Sequence, residues 1–120
     1  MTTMAKPDYQ QMLRRLYDET LAADFRCVEE VFHPDYRSMT EAYEDSPAAY
    51  IEATRKMLQD FEILEREVLC TLGDDRHVAI LHRARFRPRD GQQPAFEHLR
   101  VDIYQIEAGR FLRHWGVPPL

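Results

Sequence analysis

Cysteine, glycine and lysine are all scarce in this sequence. Two cysteines, Cys27 and Cys70, build no disulfide framework, and no Cys-x-x-Cys spacing signals zinc. Four glycines among 120 residues exclude collagen. No window approaches the ~18 apolar residues of a membrane span. The opening MTTMAKPDYQ lacks the apolar run of a signal peptide, so a cytoplasmic protein with no membrane partner is expected. Of 16 basic residues 14 are arginine, and 21 acidic residues leave a net charge of −5. An acidic domain is a poor general ligand for phosphate backbones, and nucleic acid is not expected as a partner. What is present is ordinary for one globular domain: 44% apolar and 31% charged residues, enough for a core without staples.

The first half reads helical and the second half reads as strands, the order of a segregated α+β domain. From Asp8 to about Asp24, Tyr9, Met12, Leu13, Leu16, Tyr17 and Leu21 recur at three and four, one stripe of a helix. A short helix around Phe25 to Phe32 follows, stopped by Pro34, and Tyr36 to Tyr43 has room for a short strand. Ser46 caps a third helix with Pro47 at its first position. Four strands are expected at Phe61–Leu72, His77–Arg87, Ala95–Glu107 and Arg110–Val117, separated by sound turn residues and antiparallel to their neighbours.

A three-residue loop Glu107-Ala108-Gly109 would pair Ile106 with Arg110, Tyr104 with Leu112 and Asp102 with His114. Val101, Ile103, Phe111, Trp115 and Val117 then form the opposite, outer face. Around Gly91 the same arithmetic sets Ile80, His82, Ala84 and Phe86 beside Asp102, Arg100, His98 and Phe96. One face thus mixes Asp102, His114, His82, His98 and Arg100 with apolar neighbours, the lining of a small-molecule cavity.

The run VDIYQIEAGRFLRHWGV resembles the C-terminal signature of SnoaL-like proteins in the nuclear transport factor 2 (NTF2-like) superfamily, and VEEVFHPDYRS resembles their second helix and Pro-Asp-Tyr turn. The resemblance implies a cone: about three N-terminal helices on a curved, antiparallel four- to six-stranded sheet enclosing a pocket, as one domain over residues 1–120. It implies a homodimer through the outer sheet face, whose apolar patch Pro118-Pro119-Leu120 offers to cover instead, and proton transfer to an activated carbon calls for no cofactor. It also exposes departures. The acid of the cyclases falls on Gly116, and the isomerase Tyr and base Asp fall on Leu16 and Thr40. Asp102 matches the carboxylic acid that isomerases keep neutral to bind an oxyanion.

The candidate proton-handling pair is therefore Asp102 and His114. A buried carboxylate needs partners or a shifted pKa, and it would hold the imidazole in one tautomer. The structural alternative is a satisfied polar pair in the cavity wall. His82, His98 and Arg100 are candidates to place an oxyanion. No His-x-His or Glu-x-x-His spacing supports a metal. Tyr36, Tyr43, Tyr50 and Met39, from the segment that lids the cone in the family, and Tyr104 are candidate pocket residues or core. His33 reads as a helix-end residue facing terminal carbonyls. Arg83, Arg85, Arg87 and Arg89 lie on the outer face, where Glu62, Glu65 and Glu67 offer cross-strand charge pairs. The expected function is a cofactor-independent acid–base enzyme acting next to a carbonyl on a small apolar or aromatic ligand: a cyclase, isomerase or dehydratase. The alternative, favoured by Gly116, is a non-catalytic binding or dimeric accessory domain.

Overall fold

A computed structural model describes residues 7–117. Helix α1 (Tyr9–Thr20) starts where Asp8 accepts the Gln11 N–H at 3.0 Å, and it buries Leu13, Leu16, Tyr17 and Thr20. Helix α2 (Val28–Val31) is a single turn, and α3 (Pro47–Asp60) starts on Ser46, whose hydroxyl accepts from Ala49 N at 3.0 Å. Strands β1 (Phe32–Ser38), β2 (Phe61–Gly73), β3 (His77–Pro88), β4 (Phe96–Glu107) and β5 (Arg110–Val117) form one sheet in the order β1-β5-β4-β3-β2. No described helix is long and apolar enough to cross a membrane.

Three details differ from the sequence reading. The residue before a proline avoids the α region. Pro34 thus holds His33 extended, the helix ends at Val31, and β1 begins at Phe32 rather than near Tyr36. His33 consequently accepts the Asp35 N–H on Nδ1 at 3.0 Å instead of facing helix carbonyls. The strand is an edge strand, where a missing N–H is tolerated, and it pairs with β5 in parallel, so the sheet is mixed rather than wholly antiparallel.

The last hairpin also changes register. Ala108 and Gly109 both have positive φ, 52° and 77°, the signature of a two-residue type I′ turn. Glu107 then pairs with Arg110 and Ile106 with Phe111, and a bulge carries the ladder on to Gln105–Arg113 and Tyr104–His114. Asp102 faces Gly116, not His114. The extra residue of the bulge restores the parity, so Asp102 and His114 keep a common face. Phe111 moves from the expected outer face into the core, fully buried. The β3–β4 register is the expected one, Ile80–Asp102, His82–Arg100, Ala84–His98 and Phe86–Phe96.

The core lies between α1, α2 and the β1-β5-β4-β3 part of the sheet. Phe32 stacks on Tyr36 at 4.0 Å and meets Tyr50 edge-on at 4.8 Å, while Tyr104 packs on Phe111 at 4.9 Å. Burying such side chains stabilises the fold by about 1.5–3 kcal/mol each. On the outer face Arg83 reaches Glu65 and Glu67 at 2.9 and 2.8 Å, and Arg87 reaches Glu62 at 2.8 Å. Pro118-Pro119-Leu120 lie outside the described residues.

Candidate functional site

A cavity of about 230 Å³ opens between the sheet and the helices. Even-numbered residues of β3 and β4 supply its floor: His82, Ala84, His98, Arg100 and Asp102. His114 comes from β5, Tyr17 from α1, Thr54 and Met57 from α3, and Glu41, Tyr43 and Glu44 from the loop after β1.

Asp102 is the hub of one end. Its Oδ1 accepts from His114 Nε2 at 2.6 Å and Arg100 Nε at 2.8 Å, and its Oδ2 accepts from His82 Nε2 at 2.7 Å. Ser38 Oγ lies 2.8 Å from His114 Nδ1 and donates to Glu41 Oε2 at 2.9 Å. Glu41 Oε2 is also 3.3 Å from His114 Nδ1, and Arg100 Nη2 pairs with Glu41 Oε1. The loop is tied back onto β5 by the Met39 N–H to the His114 carbonyl at 2.7 Å and by the Gly116 N–H to Thr40 Oγ1 at 2.8 Å.

Two anions and two cations balance here. Burial opposes ionisation of Asp102, yet the bonds from His114 and His82 and the Arg100 charge outweigh it and hold the carboxyl well below the usual range. Glu41 is likewise buried but held low by His114, Arg100, Thr40 and Ser38. His114 is disfavoured as a cation by burial, but the bonds to Asp102 and Glu41 raise it to about 9. Asp102 is therefore ionised, not the neutral acid that the resemblance implied. His114 is an imidazolium whose two N–H groups both have partners.

Gly116 has a steric reason. A Cβ there would collide with Arg100 Nη2 and lie 2.7 Å from its Cζ and 2.9 Å from Glu41 Oε1. The space that a β5 carboxylate would take holds Arg100 instead, and the carboxylate comes from Glu41 on the loop.

The rest of the cavity is less tightly bonded. His82 has no partner for Nδ1 among the described residues, and its ring lies 5.0 Å from that of Tyr17. Tyr17 and Tyr104 share one hydrogen bond between their hydroxyls at 2.7 Å. Burial raises both phenols, so two hydrogens serve one bond, and among the described residues one O–H is left to donate. Glu44 is pushed up to about 7, chiefly by burial. His98 is lowered by burial and by the neighbouring Arg100 charge.

The expected residues Asp102, His114, His82, His98, Arg100, Tyr43 and Tyr104 all line this cavity, as does Tyr50. Tyr43 is two-thirds exposed at its rim. Tyr36 belongs to the core, meeting the lining through Glu44 at 3.4 Å and edge-on against Tyr50 at 6.4 Å, and Met39 is half exposed and outside the lining. Leu16 is core, and Thr40 braces the loop. Sequence reasoning missed Glu41, Glu44 and Arg66. The two glutamates sit in a loop whose path no periodicity encodes. Arg66 shares the inward parity of Val68 on β2, a signal hidden within the charged run Glu65-Arg66-Glu67. Among the described residues no three His, Cys, Asp or Glu side chains form a metal-binding group.

No family model and no curated protein matches the sequence. Solved structures do. TsrD from Streptomyces laurentii superposes with a TM-score of 0.74 at 22% identity, covering 94% of this chain and 91% of that one. A SnoaL-like polyketide cyclase from Agrobacterium tumefaciens gives 0.73 at 13% identity, covering 97% and 93%. An LEH-like epoxide hydrolase from M. tuberculosis gives 0.70 at 10% identity, covering 92% and 81%. Helices, mixed sheet, cavity and superpositions together show that this chain has the NTF2-like fold of the SnoaL-like proteins.

Proposed function

We propose that the protein is a cofactor-independent acid–base enzyme acting next to a carbonyl of a small apolar or aromatic molecule, by cyclisation, isomerisation or dehydration. The observation that carries it is the Asp102–His82 dyad at the cavity wall. Asp102 accepts the hydrogen bond of the Nε2–H, which fixes the tautomer and leaves the Nδ1 lone pair open to abstract a proton. The spare hydroxyl of the Tyr17–Tyr104 pair donates to the enolate oxygen that develops, and Glu44, poised near neutrality, returns a proton. Asp102 then acts through His82 as a positioning residue, and His114 supplies the countercharge that keeps Asp102 ionised. The cavity of about 230 Å³ falls below the ~300–1,000 Å³ of drug-sized sites, which favours a compact ligand.

One observation favours the non-catalytic alternative: both Asp102 oxygens and both His114 nitrogens are already engaged within the protein. Deuterium wash-in separates the two. In D2O, proton NMR on a panel of small aryl ketones and aryl acetic acids should show enzyme-dependent exchange at the carbon next to the carbonyl. His82→Gln should slow it ~100-fold or more. Binding without exchange would sink the enzyme and leave the binding module.

The same reading includes a homodimer through the outer sheet face. There Val101, Ile103 and Trp115 adjoin Leu99 and Val117, which are 40% and 47% exposed. Light scattering should give twice 14.3 kDa, and Ile103→Glu should halve it. A wild-type monomer at micromolar concentration would contradict this part.

A further inference from the structure

Arg66 is the charged side chain of the cavity wall that the acid–base scheme leaves unused. It sits on β2 opposite Ala84, which in turn sits opposite His98 on β4, so the three form one row across the cavity face. Its Nη1 donates to Asp18 on α1 at 2.7 Å. Its Nε and Nη2 are buried and have no partner among the described residues. Leaving a buried guanidinium edge unbonded is costly, and such groups are rare unless something else completes them.

The chemistry of the missing partner follows from which two nitrogens are free. Nε and Nη2 are the parallel donors that a carboxylate grips with both oxygens. The protein uses this same edge elsewhere. Arg26 holds both oxygens of Asp24, Oδ1 through Nε at 2.9 Å and Oδ2 through Nη2 at 2.7 Å, and Arg83 turns the same edge on the single oxygen Oε2 of Glu67, through Nε at 3.1 Å and Nη2 at 2.8 Å. In those pairs the carboxylate comes from the protein. At Arg66 it does not, because Asp18 engages only the other nitrogen. Beside Arg66 the row carries Ala84, whose small side chain leaves room where a larger one would fill the cavity.

We infer that Arg66 is the recognition point for a carboxylate on the ligand, so the molecule bound here is a small organic acid with an apolar or aromatic body. This rests on reading the cavity as a small-molecule site. One carboxylate oxygen would bond Nε and the other Nη2. The body would lie over Ala84 toward His82 and Tyr17, since two residues along a strand span ~6.6 Å, about one ring. Asp18 holds the guanidinium in place from outside and spends one of its five donors doing so.

The test pairs each acid with its neutral amide. Calorimetric titration of the wild-type protein with cinnamate and cinnamamide, and with phenylacetate and phenylacetamide, should show each acid binding at least ~10-fold tighter than its amide. Arg66→Met should erase that preference while binding the amides as the wild type does. Arg66→Lys, which keeps the charge but not the fork, should recover only part of it. Equal affinity for acid and amide in the wild type would overturn the inference and leave the small-molecule site standing. No binding of any of the four at millimolar concentration would overturn the site itself, and the inference with it. Thermal melts of the variants, expected to match the wild type, separate lost recognition from lost folding.

Discussion

The two ends of the cavity are built on opposite plans. Around Asp102, four charged side chains and Ser38 bond one another until the carboxylate oxygens of Asp102 and both nitrogens of His114 have partners. Among the side chains of Ala84, His98 and Arg66, the outward nitrogen of Arg66 is the only one bonded within the described residues. The first end is satisfied by the protein's own groups, and the second, on the inference above, by a ligand carboxylate. Removing a group from the closed end should therefore cost folding, and removing one from the open end should cost recognition.

The largest effect should come from breaking the hub. Asp102→Ala leaves the His114 imidazolium and Arg100 without their shared anion, and removing one partner of a buried charge pair costs about 3–5 kcal/mol. Urea denaturation should show the midpoint falling accordingly. A loss under ~1 kcal/mol would mean that the closed end is not closed. Next is Gly116→Ala. Its Cβ needs the space of the Arg100 guanidinium, so Arg100 must leave Glu41, and overpacking of this kind costs about 1–3 kcal/mol. A cyclase-like Asp at that position is expected to fail for the same reason.

How far the sequence spoke follows the same division. Helix stripes, caps and the β3–β4 register were legible because apolar periodicity and turn residues set them locally. The β4–β5 turn was not, since a type I′ turn puts Ala108 at φ 52°, a conformation that disfavours a non-glycine residue. Asp102 and His114 still meet, because the turn and the bulge each move the pairing by one residue and together spare the face. Glu41 was out of reach: it occupies the space above Gly116 only because the loop after β1 folds back onto β5. Arg66 was in principle readable from its parity with Val68, but its neighbours Glu65 and Glu67 point outward and disguise it.

A milder effect is the pH response of the closed end. His114 rises from its ordinary 6.5 to about 9 on folding, so its contribution is complete below about pH 6.5 and is lost as pH climbs through 9. Stability measured from pH 7 to 10 should fall, and His114→Gln should remove that part of the slope. Asp102 and Glu41 act in the opposite direction. Their folded values are depressed, so their contribution holds above the ordinary carboxylate range and disappears in acid. Glu44 belongs to neither end's charge balance. Burial raises it from 4.5 to about 7, so turnover that needs its proton should decline as pH passes 7, and Glu44→Gln should flatten that limb.

The smallest stability effect should be at Arg66. Its one ion pair is with Asp18, which is 62% exposed, and such pairs contribute about 0–1 kcal/mol. Arg66→Met should unfold within ~1 kcal/mol of the wild type, or above it, because it removes a buried edge with no partner. A loss like that at Asp102 would erase the contrast between the ends.

Imidazole nitrogen NMR on 15N-histidine-labelled protein tests that contrast most directly, with and without saturating cinnamate at pH 7.5. The account predicts two protonated nitrogens on His114, unchanged by the ligand. It predicts for His82 a proton on Nε2 and a bare Nδ1 whose resonance moves when the ligand binds. A bare nitrogen on His114, or a His82 ring indifferent to bound cinnamate, would contradict it.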